Sequence, residues 1–69
     1  MKYTFTVETK TKDRTLHSFF EADNVRECRC AWQGVAGLLR DLKFACIIED
    51  YSMEADNNTA SAWKDRGYI

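Results

Sequence analysis

The sequence predicts an α+β fold, a two-layer β-β-α-β arrangement. An antiparallel sheet carries one long helix on one face, with a short C-terminal helix or strand beside it. Three observations predict it: strict apolar/polar alternation at the start, apolar residues recurring at helical spacing from Val25 to Leu42, and a run rich in β-formers after that helix. The 69 residues are 45% hydrophobic and 30% charged, and a chain of this size has material for one core only, so residues 1–69 read as a single domain.

The first strand is "KYTFTVETK", which puts Tyr3, Phe5 and Val7 on one side and Lys2, Thr4, Thr6 and Glu8 on the other, the period-2 pattern of a half-buried strand. Thr11 to Arg14 supply a polar turn, and Thr15 to Glu21 return as a second strand to make a hairpin. Phe19 and Phe20 are neighbours and cannot share a face, so one of them lies on the outer side or at the strand end.

Asp23 or Asn24 caps a helix, with Glu27 three positions after Asn24 as in a capping box. Val25, Cys28, Trp32, Val35, Leu39 and Leu42 then gather on one side of it, with Ala31, Ala36 and Leu38 at the margins. The helix is expected to run to about Leu42. Lys43 to Tyr51 read as a third strand, "SMEADNN" as a loop, and "ASAWKDR" as a short helix capped by Asn58 or Thr59 and stopped by Gly67. A fourth strand is the competing reading of that tail, and Trp63 anchors either version.

Charge is nearly balanced, with ten basic and eleven acidic residues, so no global field drives binding to nucleic acid or membrane. The distribution is uneven. Residues 1–43 carry eight basic and six acidic side chains, a net of +2, and residues 44–69 two basic and five acidic, a net of −3. No apolar run approaches the roughly 18 residues of a membrane span and no signal-peptide block opens the chain, which points to the cytoplasm. Three cysteines, an odd number, fit reduced thiols in that compartment.

The sequence holds no motif of catalysis. Cys28 and Cys30 sit about 200° apart on a helix and cannot jointly chelate an ion; Cys28 belongs to the apolar face and Cys46 to the expected third strand, where cysteine packs as a small hydrophobe. His17 is the only histidine and has no nucleophile at a motif-like spacing. The expectation is therefore a protein that is not an enzyme, with no metal and no cofactor.

Two surfaces remain as candidates for recognition. Glu49, Asp50, Glu54 and Asp56 surround Tyr51 and Met53 in the acidic stretch, an anchor within a coherent field that fits a protein partner. Arg26, Arg29, Gln33 and Arg40 share an arc of about 60° on the helix exterior, with Lys43 following. That stripe is either a solvated face paired locally with Glu27 and Asp41, or a grip on phosphates in a nucleic acid, with an outward aromatic such as Phe19 for stacking. Beside it Cys30, Gly34, Gly37 and Asp41 share about 40°. Two glycines on one helix face mark a close approach, by the C-terminal segment or by a second copy in a homodimer.

The layout "KYTFTVET", a helix from "NVRECRCAW", then "ACIIEDY" and "AWKDRGYI", resembles the small proteins carried by phages and other mobile elements. In size and element order it is similar to some anti-CRISPR proteins. The resemblance implies an inhibitor or adaptor that acts by binding a protein complex, and it designates no residues.

Overall fold

A computed structural model describes residues 2–68. The chain forms β1 (Tyr3–Lys10), β2 (Thr15–Ala22), α1 (Val25–Phe44), β3 (Asp50–Ala55) and α2 (Asn57–Asp65). The three strands make one antiparallel sheet in the order β2-β1-β3, so the α+β expectation holds and the C-terminal element is the helix.

The β1–β2 hairpin closes through the Thr11 N–H, which donates to the Arg14 carbonyl at 2.8 Å, while the Thr11 hydroxyl donates to the same carbonyl at 2.9 Å. Phe5 pairs with Phe20 and Thr6 with Phe19. Residues opposite one another in a ladder share a face, so Phe20 joins Tyr3, Phe5 and Val7 beneath the helix, and Phe19 points to the other side. The same logic places Tyr51, Met53 and Ala55 under the helix, opposite Thr9, Val7 and Phe5.

α1 starts as its sequence demands, with the Asn24 side chain accepting from the Glu27 N–H at 2.8 Å. It ends two residues later than expected. Cys46 adopts φ 62°, the left-handed conformation, its N–H donates to the Lys43 carbonyl, and the Ile47 N–H donates to Leu42 at 2.9 Å. That pair of bonds is a Schellman close, usually built on glycine.

The third strand is the principal correction. Lys43 and Phe44 belong to α1, residues 45–49 form the turn, and the strand is Asp50–Ala55, most of which the sequence reading gave to a loop. Cys46 is thus an exposed turn residue and not a packed strand residue. The physical reason lies in pairing: the Glu49 N–H donates to the Lys10 carbonyl and the Asp56 N–H to Thr4, which sets a register in which "DYSMEA" alternates outward and inward. Alternation outweighs the β-propensity of "CIIE". Ile48 alone of that run turns into the core.

α2 is capped by Asp56, two residues ahead of Asn58 and three ahead of Thr59, the caps expected; its carboxylate accepts from the Thr59 N–H at 2.7 Å. It closes as expected at Gly67 (φ 77°), with Gly67 N–H to Lys64 and Tyr68 N–H to Trp63 at 2.9 Å. This second Schellman close returns Tyr68 toward Trp63. Thr59 is fully buried and its hydroxyl accepts from the Thr4 N–H at 2.9 Å, joining α2 to β1.

The core consists of Phe5, Val7, Val25, Cys28, Leu39, Ile48 and Trp63. A chain of rings crosses it: Phe20 stacks on Phe5 at 4.9 Å, Phe5 meets Trp32 edge-on at 5.2 Å, and Trp32 meets Trp63 edge-on at 5.3 Å. Trp63, 1% exposed, is the largest fully buried side chain, whereas Trp32 is only partly buried. The centre of the apolar stripe is therefore not the centre of the core.

Candidate functional site

Among the described residues, no element covers the face of the sheet opposite α1. It presents Thr4, Thr6, Glu8 and Lys10 from β1, Thr15, His17, Phe19 and Glu21 from β2, and Asp50, Ser52 and Glu54 from β3. Phe19 stands in it at 63% exposure. A shallow hollow beside the ring is lined by Thr4, Thr6, Glu54 and Asp56, and a second by Thr6, Glu8, His17, Ser52 and Glu54.

Carboxylates outnumber cations on this face. Lys2 is paired with Glu21 at 3.1 Å, and His17 Nδ1 lies 3.8 Å from Glu8. Lys43 Nζ reaches Asp50 at 3.2 Å from the end of α1. The Tyr51 N–H, and then Lys43, hold the Asp50 carboxyl below the usual carboxylate range. Asp56 is held low first by the Thr4 hydroxyl and then by the Thr59 N–H. Glu54 has no cationic partner within 4 Å among the described residues.

The acidic constellation of the sequence reading is divided by this geometry. Asp50 and Glu54 share the open face and Asp56 borders it, while Glu49 sits in the preceding turn. Tyr51 and Met53 alternate to the opposite side of β3, partly buried against the core, although Tyr51 also borders a hollow with Glu8, Lys10, Asp50 and Ser52. Phe19 is the large ring on the open face itself. The sequence signal for it was the Phe19–Phe20 pair, one of which had to face outward.

The basic stripe is also divided. Arg40 Nε lies 3.8 Å from Asp41 and Lys43 is bound to Asp50, the local pairing that a solvated helix face shows. Arg26, Arg29 and Gln33 stay together and line a hollow with Cys30 and Tyr68. The Arg29 guanidinium lies 5.1 Å above the Trp63 ring. Tyr68 could not be placed from sequence because the Schellman close at Gly67 is what returns it to this site.

The glycine stripe has no neighbour among the described residues: a methyl group built on Gly34 or Gly37 meets none of their atoms within 4 Å. The described part of the C-terminal segment, up to Tyr68, is thus not what the glycines accommodate. All three cysteines are free, Cys28 buried and Cys30 and Cys46 exposed, so packing accounts for Cys28 alone. Burial, and then Asp56, pushes the Cys28 thiol up from its ordinary value. Among the described residues no group of three or more His, Cys, Asp or Glu side chains is placed to hold a metal ion, and no helix is long and apolar enough to cross a membrane.

Comparison with protein-family models, curated proteins and solved structures gives no match to this chain.

Proposed function

We propose that this chain is a small, non-enzymatic, cytoplasmic protein-interaction module that takes a basic protein surface on the open face of its sheet. The observation that carries the reading is Phe19. A large ring 63% exposed on an uncovered sheet, ringed by Glu8, Glu54 and polar threonines, has the composition of an interface centre with a charged rim. The excess of carboxylates there, with Glu54 lacking a cationic partner among the described residues, steers a partner rich in lysine and arginine. The resemblance in size and element order to anti-CRISPR and other mobile-element proteins supports the narrower reading of an inhibitor or adaptor. The open Gly34/Gly37 face leaves room for a second copy in a homodimer.

Nucleic-acid binding through the arginine stripe is the alternative. It is favoured by Arg26 and Arg29, which have no carboxylate partner within 4 Å among the described residues. It is weakened because Arg40 and Lys43 are paired, and because Phe19 lies on the opposite side of the molecule within an acidic field that repels phosphates.

Affinity capture from cell extract, with and without nuclease, separates the two readings. The expected result is a protein retained after nuclease treatment, lost with Phe19→Ser and with Glu8→Lys/Glu54→Lys, and kept with Arg26→Glu/Arg29→Glu. Capture that survives both sheet-face variants, or that disappears with nuclease, overturns the proposal.

A further inference from the structure

On the side of the molecule away from the sheet, Arg26, Arg29 and Gln33 occupy successive turns of α1 and face Tyr68 across a hollow of about 200 Å³, with Cys30 on its rim. We infer that this hollow is a binding site for a phosphate monoester, separate from the sheet face and independent of what that face binds.

The two guanidiniums have no carboxylate within 4 Å among the described residues. Arg29 is half-buried, with its guanidinium carbon 5.1 Å from the centre of the Trp63 ring, which is itself fixed by burial and by its indole N–H donating to the Val25 carbonyl at 3.4 Å. A cation–π contact of this kind restricts the motion of the guanidinium, so less entropy is lost when an anion is bound. Two positive charges, that of Arg29 held by packing and that of Arg26 exposed beside it, match the two negative charges of a monoester near neutral pH, whereas a diester carries only one. The Gln33 amide and the Tyr68 phenol add neutral donors, and the partly buried Tyr68 ring, packed on the core, offers an apolar flank to the organic group of the ester. The site is a pair of arginines, one of them held by packing, with an aromatic wall, a narrower feature than a basic stripe for a nucleic-acid backbone.

Titration of the full-length chain by two-dimensional NMR tests this, with inorganic phosphate, phenyl phosphate and dimethyl phosphate as probes at constant low ionic strength. Phenyl phosphate is expected to produce saturable shifts centred on Arg29, Gln33 and Tyr68, and dimethyl phosphate to bind about tenfold or more weakly. Arg29→Gln should weaken phenyl phosphate binding about tenfold, and Arg40→Gln, on the same helix but paired with Asp41, should leave it unchanged. Arg26→Gln, at an exposed position outside the core, checks that loss at Arg29 is not loss of the Trp63 packing. Shifts that stay linear in ligand, equal binding of the diester, or equal losses with Arg40→Gln and Arg29→Gln overturn the inference. If inorganic phosphate binds as tightly as phenyl phosphate, the aromatic wall has no part in it and the monoester assignment fails.

Discussion

Cys46 carries backbone strain that a glycine would not. Its φ of 62° costs an L-residue about 1–2 kcal/mol, and its exposed thiol makes only one long contact, to the Phe44 carbonyl at 4.0 Å. Cys46→Gly should therefore raise stability by about 1 kcal/mol in a urea melt; a loss of stability would show that the thiol contributes more than its exposure indicates. Asp56 acts at the same scale. It caps α2 and accepts from Thr4, so Asp56→Ala should cost about 1 kcal/mol. Its folded pKa lies below its unfolded value, so the ionised form stabilises the fold above the unfolded pKa. That contribution falls away as the pH drops through the folded value, below about pH 4. Melts at pH 7 and pH 3 should show a smaller pH loss in Asp56→Asn than in the parent.

Among the elements, α2 contributes more to the core than its nine residues indicate. It supplies Trp63 and the buried Thr59, while the longer α1 supplies a partly buried Trp32. Trp63→Ala should cost about 3–5 kcal/mol, most of the stability of a domain this small, and Trp32→Ala clearly less. Tryptophan fluorescence of Trp32→Phe, which leaves Trp63 as the sole reporter, should be blue-shifted relative to Trp63→Phe. The exposed interior of α1 offers a second test. Alanine at Gly34 and Gly37 meets no neighbouring atom, so each substitution should add about 1 kcal/mol to the monomer. If a second copy packs on that stripe, the same substitutions should lower the dimer fraction measured by sedimentation, and a dimer that ignores them does not use this face.

For the molecule as a whole, the fold sorts charge onto two opposed sides: carboxylates and Phe19 on the sheet, unpaired arginines beyond the helix. Neither surface is needed for folding, since exposed charges and their pairs contribute little to stability. Glu8→Lys/Glu54→Lys and Arg26→Glu/Arg29→Glu should each leave the unfolding free energy from a urea melt within about 0.5 kcal/mol of the parent, apart from the loss of the Arg29 contact with Trp63. Binding lost in either variant is then a property of its surface. A midpoint collapse in the sheet-face variant would mean that Glu8 and Glu54 hold the sheet together, and capture data from it would have to be set aside in favour of Phe19→Ser.

The sequence by itself determined the α+β class, β1, the hairpin, the Asn24 cap, the apolar stripe of α1 and the glycine stop at Gly67, because each is encoded within a few neighbouring residues. It also contained the alternation of "DYSMEA", but the β-branched residues just before it were the louder signal. Only tertiary structure decided the rest. The end of α1 depends on a cysteine accepting a conformation that usually announces itself as glycine. The position of β3 depends on which carbonyls of β1 remain free to pair. The choice between Phe19 and Phe20, the placing of Tyr51 and Met53 against the core, and the meeting of Tyr68 with Arg26 and Arg29 all follow from contacts between residues distant in sequence. No local propensity can fix such contacts, because their energies exist only once the sheet has chosen its register.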